Sequence, residues 1–205
     1  TVMESGLGCI AHHHDFVWER ERFLVNAVDD YLRAAFPPGL PQMQHVAINS
    51  LAAQEFSRRL ALPCLVIPNV MDFERPPEPP DDYSREFRTA LGLTAEDILV
   101  LQPTRIVQRK AIEHSIELVR QLDDPRCKLV ITHSSGDEGD RYVEHVLKYA
   151  RLMGVTVILA AQWIAQERGQ GPDGQPRFTI ADAYRQADFV TYPSPYEGCG
   201  NAFLE

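Results

Sequence analysis

No stretch of this sequence is apolar for long enough to cross a membrane as a helix. The longest run in the second half, residues 155–161, has the length of a short core strand, whereas a spanning helix needs about 20 apolar residues. Positive charge is also in short supply. Lys and Arg number 20 against 29 Asp and Glu, for a formal net charge of −9. That balance disfavours wholesale binding of nucleic acid or of an anionic membrane, but leaves room for a local basic site for a phosphate. Cysteine is sparse and scattered: Cys9, Cys64, Cys127 and Cys199 form no Cys-x-x-Cys pair and read as reduced thiols. No secretory signal and no internal repeat are visible. Together these absences point to the cytoplasm, or to the periphery of a membrane rather than its interior.

What is present is globular material: 205 residues, 44% hydrophobic, enough for one large or two small domains. Short apolar runs alternate with helical patterns, the signal for parallel strands joined by crossover helices. In the first part, strands are expected at 7–11, 45–48 and 64–67, with a charged helix over 18–35 and another over 50–60. Residues 75–82 (Arg-Pro-Pro-Glu-Pro-Pro-Asp-Asp) follow. So much proline cannot join a sheet and reads as a stiff linker or surface loop. In the second part, strands are expected at 98–101, 128–132, 155–160 and 188–192. Helices are expected at 110–122 and 140–153, each with an apolar stripe. A short helix begins at Thr179, where Thr179 and Asp182 are spaced like a capping box. Residues 169–176 are a Gly/Pro-rich loop without assigned purpose.

This order predicts an α/β fold in which ligands sit beyond the carboxyl ends of the strands. Arg105, His133, Trp163 and Glu197 each fall just after such an end. The final segment is the richest. Glu197 and Glu205 frame a glycine-rich loop and a helix start, Gly198-Cys199-Gly200-Asn201. Gly198 and Gly200 permit close backbone approach, and free N–H groups at a helix start favour anionic or hydroxyl-rich ligands. Two carboxylates so spaced could hold separate hydroxyl clusters, as on a sugar nucleotide.

The Glu197-x7-Glu205 segment resembles the signature of retaining GT-B glycosyltransferases of family 4, the group 1 family. Two further stretches, in the family's order, are similar to it. Residues 67–72 (Ile-Pro-Asn-Val-Met-Asp) resemble the family's interdomain "IPNGVD", with Val-Met in place of Gly-Val. Residues 102–110 (Gln-Pro-Thr-Arg-Ile-Val-Gln-Arg-Lys) resemble the strand end and loop that carry its Arg…Lys phosphate clamp. The matches cover roughly residues 45 to 205. The resemblance implies a GT-B type fold of two Rossmann-like domains. Residues 1–76 would be the C-terminal part of the N-terminal, acceptor-side domain. Residues 77–205 would be the nucleotide-sugar-binding domain, cut short at its C-terminal end, so the chain is expected to be a piece of a longer protein.

The resemblance also implies roles. Arg105 and Lys110 would meet the charge that grows on the departing diphosphate, with Arg109 a less well matched substitute. Each close unit-charge pair is worth about 4 kcal/mol at an effective dielectric near 20. Taken alone, the same residues would read as a solvated basic face. Glu205 would accept from the ribose hydroxyls and Glu197 would face the hexose, although a helix-start Glu favoured by the dipole is the plainer alternative. Backbone N–H groups of Gly198, Cys199, Gly200 and Asn201 would lie near sugar hydroxyls or phosphate. Trp163 and Ile164 would hold the base through backbone contacts, unless Trp163 is simply core.

In the first part, His12-His13-His14-Asp15 follows an expected strand end. His12 and His14 share a face in an extended chain, but no further Cys or His stands at metal-ligand spacing, so no metal site is expected. The resemblance instead places His13 or His14 near the transferred sugar, with Asp15 orienting it or meeting the acceptor. The helix from Trp18 onward could shape an acceptor pocket, with Arg22 on its solvated face. Asn49, Ser50 and Asn69 line the cleft or, for the first two, cap a helix. His133, Asp137 and Glu138 read first as loop and cap residues.

The function implied is metal-independent, retaining transfer of a hexose from a nucleoside-diphosphate sugar to a hydroxyl acceptor. GDP-mannose and UDP-glucose are the donors to weigh, and no bound cofactor is required. A nucleotide-sugar epimerase of related fold or a nonenzymatic sugar-nucleotide-binding subunit are the alternatives. A phosphorylase would need a pyridoxal-phosphate lysine that is not identifiable. The intact pair of Glu residues and pair of cations argues against a degenerate site.

Overall fold

The computed structural model describes residues 5–19, 25–74, 77–136, 139–195, 197 and 200. They form two compact units that divide between Asp72 and Phe73; Glu197 and Gly200 group with the first. Among the described residues no helix is long and apolar enough to cross a membrane.

The first unit holds a parallel sheet in the order β1-β2-β3: β1 (Cys9–His13), β2 (Met43–Ala47) and β3 (Cys64–Val66). The first strand lies two residues later than expected. Gly6 takes a left-handed turn at φ 70°, and pairing begins only with Cys9 opposite Met43 and runs to His13 opposite Ala47. His12 and His13 are therefore strand residues, not the loop that follows. The expected charged helix over 18–35 is replaced, among the described residues, by a single 3-10 turn at Val17–Glu19 and by α1 (Asp29–Ala35). The next helix, α2 (Ser50–Leu60), has the expected bounds. The Asn49 side chain accepts from the Ala52 amide at 2.8 Å, a cap worth about 1 kcal/mol, and Ala61 closes the helix in the left-handed region at φ 55°. Asn49 is thus spent as a cap. Ala52, Ala53 and Phe56 on α2 pack with Ala47 and Phe16 to make this unit's core.

The second unit is a four-stranded, all-parallel sheet in the order β6-β5-β4-β9. Its strands are β4 (Ile98–Gln102), β5 (Cys127–Ile131), β6 (Val157–Leu159) and β9 (Phe189–Val190). Successive side chains alternate faces, so a strand covered on both sides must be apolar throughout. On one face Val100, Leu129 and Ile131 meet α4 (Ile112–Leu122) and α5 (Arg141–Met153), through Ile112, Ile116, Val119, Val146 and Ala150. On the other, Leu99, Leu101 and Val130 meet α3 (Asp82–Ala90) and α6 (Ile180–Gln186), through Phe87 and Ala183.

Two elements had no counterpart in the sequence reading. Helix α3 emerges from the proline-rich stretch, started by a capping box in which Asp81 accepts from the Ser84 amide and Ser84 from the Asp81 amide. The Gly/Pro-rich loop is a small hairpin, β7 (Gly169–Gln170) against β8 (Pro176–Arg177), antiparallel. The Tyr83 hydroxyl ties it to α3: it lies 2.9 Å from both the Gly169 and Arg177 carbonyls and donates its one proton to either, while accepting from the Gly169 amide at 3.2 Å. The expected capping box at Thr179 and Asp182 is present at the start of α6. Strand β9 is shorter than expected at both ends, and the Asp188 carboxylate before it accepts from the Leu99 amide at 2.7 Å and pairs with Arg88 at 3.1 Å.

Candidate functional site

Because β4, β5, β6 and β9 are parallel, their carboxyl ends share one edge, where open α/β sheets bind ligands. Beyond β4 the chain runs through Pro103-Thr104-Arg105, is anchored by buried Ile106 and Val107, and makes a 3-10 turn at Gln108–Lys110. Ala111 then adopts φ 47° before α4 starts. A non-glycine residue there carries roughly 1–2 kcal/mol of strain, which the anchored loop must offset.

Arg105 lies alongside the loop after β5. A Cβ built on Gly136, itself at φ 65°, would meet the Arg105 Nη1 at 3.3 Å. His133 is in the same place. Burial, and then the nearby Arg105 charge, hold its imidazole below the usual pKa, and its Nδ1 is 2.7 Å from the Thr132 hydroxyl. His133 is, as expected, a loop residue, half-buried beside Arg105. Asp137 and Glu138, expected in this loop, lie outside the described residues.

Lys110 sits on the side of β9. It is 7% exposed, and its Nζ stands 5.2 Å from the centroid of the Tyr192 ring, a cation–π distance. Beneath both cations is a buried polar group that the sequence reading did not single out. Gln102, Thr104, Ser115 and Thr191 are all buried and joined through their side chains. The available signal was a glutamine closing an apolar strand and a serine within the apolar stripe of α4.

Trp163 and Ile164 follow β6 as expected, but their backbone is largely occupied. The Trp163 amide donates to Ala160 O at 2.9 Å, the Ile164 amide to Ala161 O at 3.3 Å, and the Trp163 carbonyl accepts from the Phe178 amide at 2.8 Å. Both side chains pack against the Phe87 and Phe178 cluster. Both residues are half-buried, and the amide and carbonyl of Trp163 are engaged within the protein. Gly198, Cys199, Asn201 and Glu205 lie outside the described residues. Glu197 and Gly200 are half-buried.

At the carboxyl end of β1 in the first unit, the histidines separate by strand alternation. His13 turns inward, with its ring 4.7 Å from Phe16 and 5.7 Å from Phe56. Its Nε2 is 2.9 Å from Nδ1 of His45, whose own Nε2 is 3.1 Å from Pro38 O. A carbonyl only accepts, so His45 donates to Pro38 from Nε2 and its Nδ1 accepts from His13. Burial, and then the charges of His45 and His12, lower the His13 pKa. His45 is lowered by burial, against the pull of the Pro38 carbonyl. His12 and His14 face the other way with ring centroids 4.9 Å apart, and His12 Nε2 reaches Ile67 O at 3.2 Å. Of the two histidines considered for a sugar contact, His14 is exposed and His13 is half-buried against Phe16 and Phe56. Trp18 stacks on Phe16 at 4.6 Å, and the Arg59 guanidinium lies over it at 5.0 Å.

No protein-family model matches the chain. It is similar over nearly its whole length to two enzymes. It is 36% identical over 223 residues to mannosylglucosylglycerate synthase of Petrotoga mobilis, covering 98% of this chain and 50% of that protein. It is 33% identical over 213 residues to mannosylglucosylglycerate synthase of Thermotoga maritima, covering 96% and 48%. The chain thus spans about half the length of the curated relatives it matches. Among solved structures, Anabaena Alr3699/HepE in complex with UDP and glucose matches with a TM-score of 0.62 at 16% identity, over 95% of this chain and 50% of that one. The Rossmann-like α/β fold is shared with that structure, and the chain is homologous to glycosyltransferases.

Proposed function

We propose that the protein is a retaining glycosyltransferase of the GT-B type, family 4, that moves a hexose from a nucleoside-diphosphate sugar to a hydroxyl acceptor. The observation that carries this is the placement of Arg105 and Lys110. One anchored loop sets both cations at the carboxyl edge of a parallel sheet, in a chain homologous to two glycosyltransferases. In the proposed reaction the bond between the sugar C1 and the diphosphate breaks. The acceptor oxygen bonds to C1 on the same face, and its proton passes to the departing phosphate. The charge left on the diphosphate is met by Arg105 and Lys110, which take the place of a metal ion. His14, exposed at the end of β1, is assigned the contact with the transferred sugar. Glu197 is assigned the hexose hydroxyls, Glu205 the ribose, and the backbone of Gly198 to Asn201 the phosphate or sugar.

The two relatives are named for a mannosylated product, so GDP-mannose is the donor proposed first, with a glucosylglycerate-type glycoside as acceptor. UDP-glucose is second, because HepE is seen with UDP and glucose. The test is transfer by the full-length protein with each donor, in the presence of a chelator, with the anomeric configuration of the product read by NMR. Arg105→Ala and Lys110→Ala should each lower turnover by roughly 10²-fold while the protein stays folded. Near-native turnover in both variants would remove the basis for the clamp. An inverted product or a strict metal requirement would overturn the stated mechanism.

A further inference from the structure

We infer that Gln102, together with Thr191, is the positioning device that holds Arg105, Lys110 and Tyr192 in one fixed arrangement. This rests on the proposal that Arg105 and Lys110 clamp the donor diphosphate. Gln102 is the last residue of β4 and is fully buried. Its amide nitrogen donates to the Thr104 hydroxyl at 2.9 Å, and that hydroxyl is 3.3 Å from the Arg105 carbonyl it faces. Its amide oxygen receives Ser115 at 2.6 Å and Thr191 at 2.8 Å, and these two hydroxyls are 2.9 Å apart. Two hydroxyl protons cannot make three hydrogen bonds, so one of these three contacts is made without a proton between the oxygens. Ser115, at the shortest distance, donates to Gln102. Thr191 donates to Gln102 or to Ser115, and is satisfied either way.

Each partner belongs to a different segment. Thr104 precedes Arg105. Ser115 lies one turn into α4, the helix that Lys110 leads into. Thr191 precedes Tyr192, whose ring lies under the Lys110 ammonium. One side chain therefore sets the relation between the Arg105 backbone, the start of the Lys110 helix and the end of β9. Apolar side chains of similar size would fill the same space without the cost of burying four polar groups. Unlike dispersion contacts, the hydrogen bonds hold these side-chain heavy atoms at set distances and angles whichever partner takes the Thr191 proton. That geometry matters where charge develops in a transition state, because even a small misplacement there is expensive in rate.

The experiment uses the full-length protein and compares Thr191→Val, Thr191→Ser, Lys110→Ala and the double variant Lys110→Ala/Thr191→Val. Removing the hydroxyl in Thr191→Val should lower kcat about tenfold with little change in KM for the donor. Thr191→Ser, which keeps the hydroxyl, should recover most of that loss. In the Lys110→Ala background, Thr191→Val should cost less than about twofold more, because Thr191 acts on Lys110 through Tyr192 while the Gln102–Thr104 bond still holds Arg105. A Thr191→Val loss that multiplies in full onto Lys110→Ala, or a Thr191→Val enzyme with native kcat, overturns the positioning role. Native turnover in Lys110→Ala would instead strike the clamp itself, so the two failures are distinct. If Thr191→Val does not fold, Ser115→Ala removes the other hydroxyl of the same hub and is judged by the same comparison.

Discussion

Gly136 offers a way to disturb Arg105 without changing any charge. It sits at φ 65°, and a Cβ there would lie 3.3 Å from the Arg105 Nη1, tight enough that the guanidinium must move by a few tenths of an ångström. Gly139, three residues later, provides the control. It has φ 76°, but nothing lies within 4 Å of its Cβ position. Placing alanine in the left-handed region costs roughly 1–2 kcal/mol at either site, and each variant should lower the melting temperature by about 5 °C. The two should differ in rate. If a misplacement of 1 Å can cost about 10²-fold, a few tenths of an ångström should lower kcat/KM by roughly three- to tenfold. Gly136→Ala should show that loss, whereas Gly139→Ala should keep native kinetics despite its similar melting curve. Paired melting and steady-state transfer assays decide the matter. Equal kinetic losses in both variants would mean that backbone strain, not Arg105, sets the rate. Native kinetics in Gly136→Ala would refute the importance of the Arg105 position.

Other outcomes follow from charge and burial. Glu205→Ala should weaken binding of the free nucleoside diphosphate, because donor and product share the ribose. Glu197→Ala should leave that binding nearly intact while impairing transfer, and isothermal titration beside a transfer assay reports both; the reverse pattern would exchange the two roles. Asp182 is fully buried. Burial pushes its pKa up, but hydrogen bonds from Arg168 and Thr179 outweigh that and leave it lowered. Its stabilising effect should therefore be complete above the unfolded carboxyl pKa of about 3.9 and be lost as pH falls through the lower folded value. Asp182→Asn should cost about 3 kcal/mol and flatten the acid limb of the melting profile; an unchanged acid limb would count against this. The paired His13 and His45, both with lowered pKa, bind fewer protons folded than unfolded. The first unit should thus lose stability as pH drops below about 6.5, and His45→Gln should reduce that dependence.

How much of this was legible depends on whether the signal is local. Helix α2 was placed to its ends because Asn49 is a cap residue before an amphipathic stretch. The strands β4 and β5 were evident because burial on both faces demands unbroken apolar runs. Helix α3 was not evident. Its buried residues are Ser84 and Phe87, too few for a periodic stripe, and the prolines before it read as linker. The β7–β8 hairpin has two-residue strands held from outside by Tyr83, which no local pattern encodes. In β1 the pattern was present, but the register depends on pairing with β2. The shift of two residues makes His13 a half-buried strand residue rather than part of a loop. Arg105 and Lys110 were found through a motif, whereas Gln102, Ser115 and Thr191 are far apart in sequence and meet only once β4, α4 and β9 are assembled.

The distribution of buried polar groups supports the placement of the site without reference to any relative. Among the described residues of the second unit, the buried polar side chains are Ser84, Gln102, Thr104, Lys110, Ser115, Thr132, Ser135, Asp182 and Thr191. Ser84 and Asp182 are the N3 residues of capping boxes and are explained by their helices. The other seven lie at, just beyond or packed against the carboxyl ends of β4, β5 and β9. Left-handed residues do not distinguish this edge, since Gly92, Asp123 and Gly154 lie in the loops that enter β4, β5 and β6 at the other. Stability alone would favour apolar side chains here, as in the rest of the sheet. Buried polar groups gathered over the span of a few loops are a departure from that preference of the kind expected at functional sites. At the opposite edge Arg88 donates to the Asp97 and Gln186 carbonyls and pairs with Asp188, an arrangement that ties strand ends together. A ligand seated at the carboxyl edge would meet two cations on a loop whose geometry is fixed from beneath. That is the arrangement required to stabilise charge that appears only during reaction.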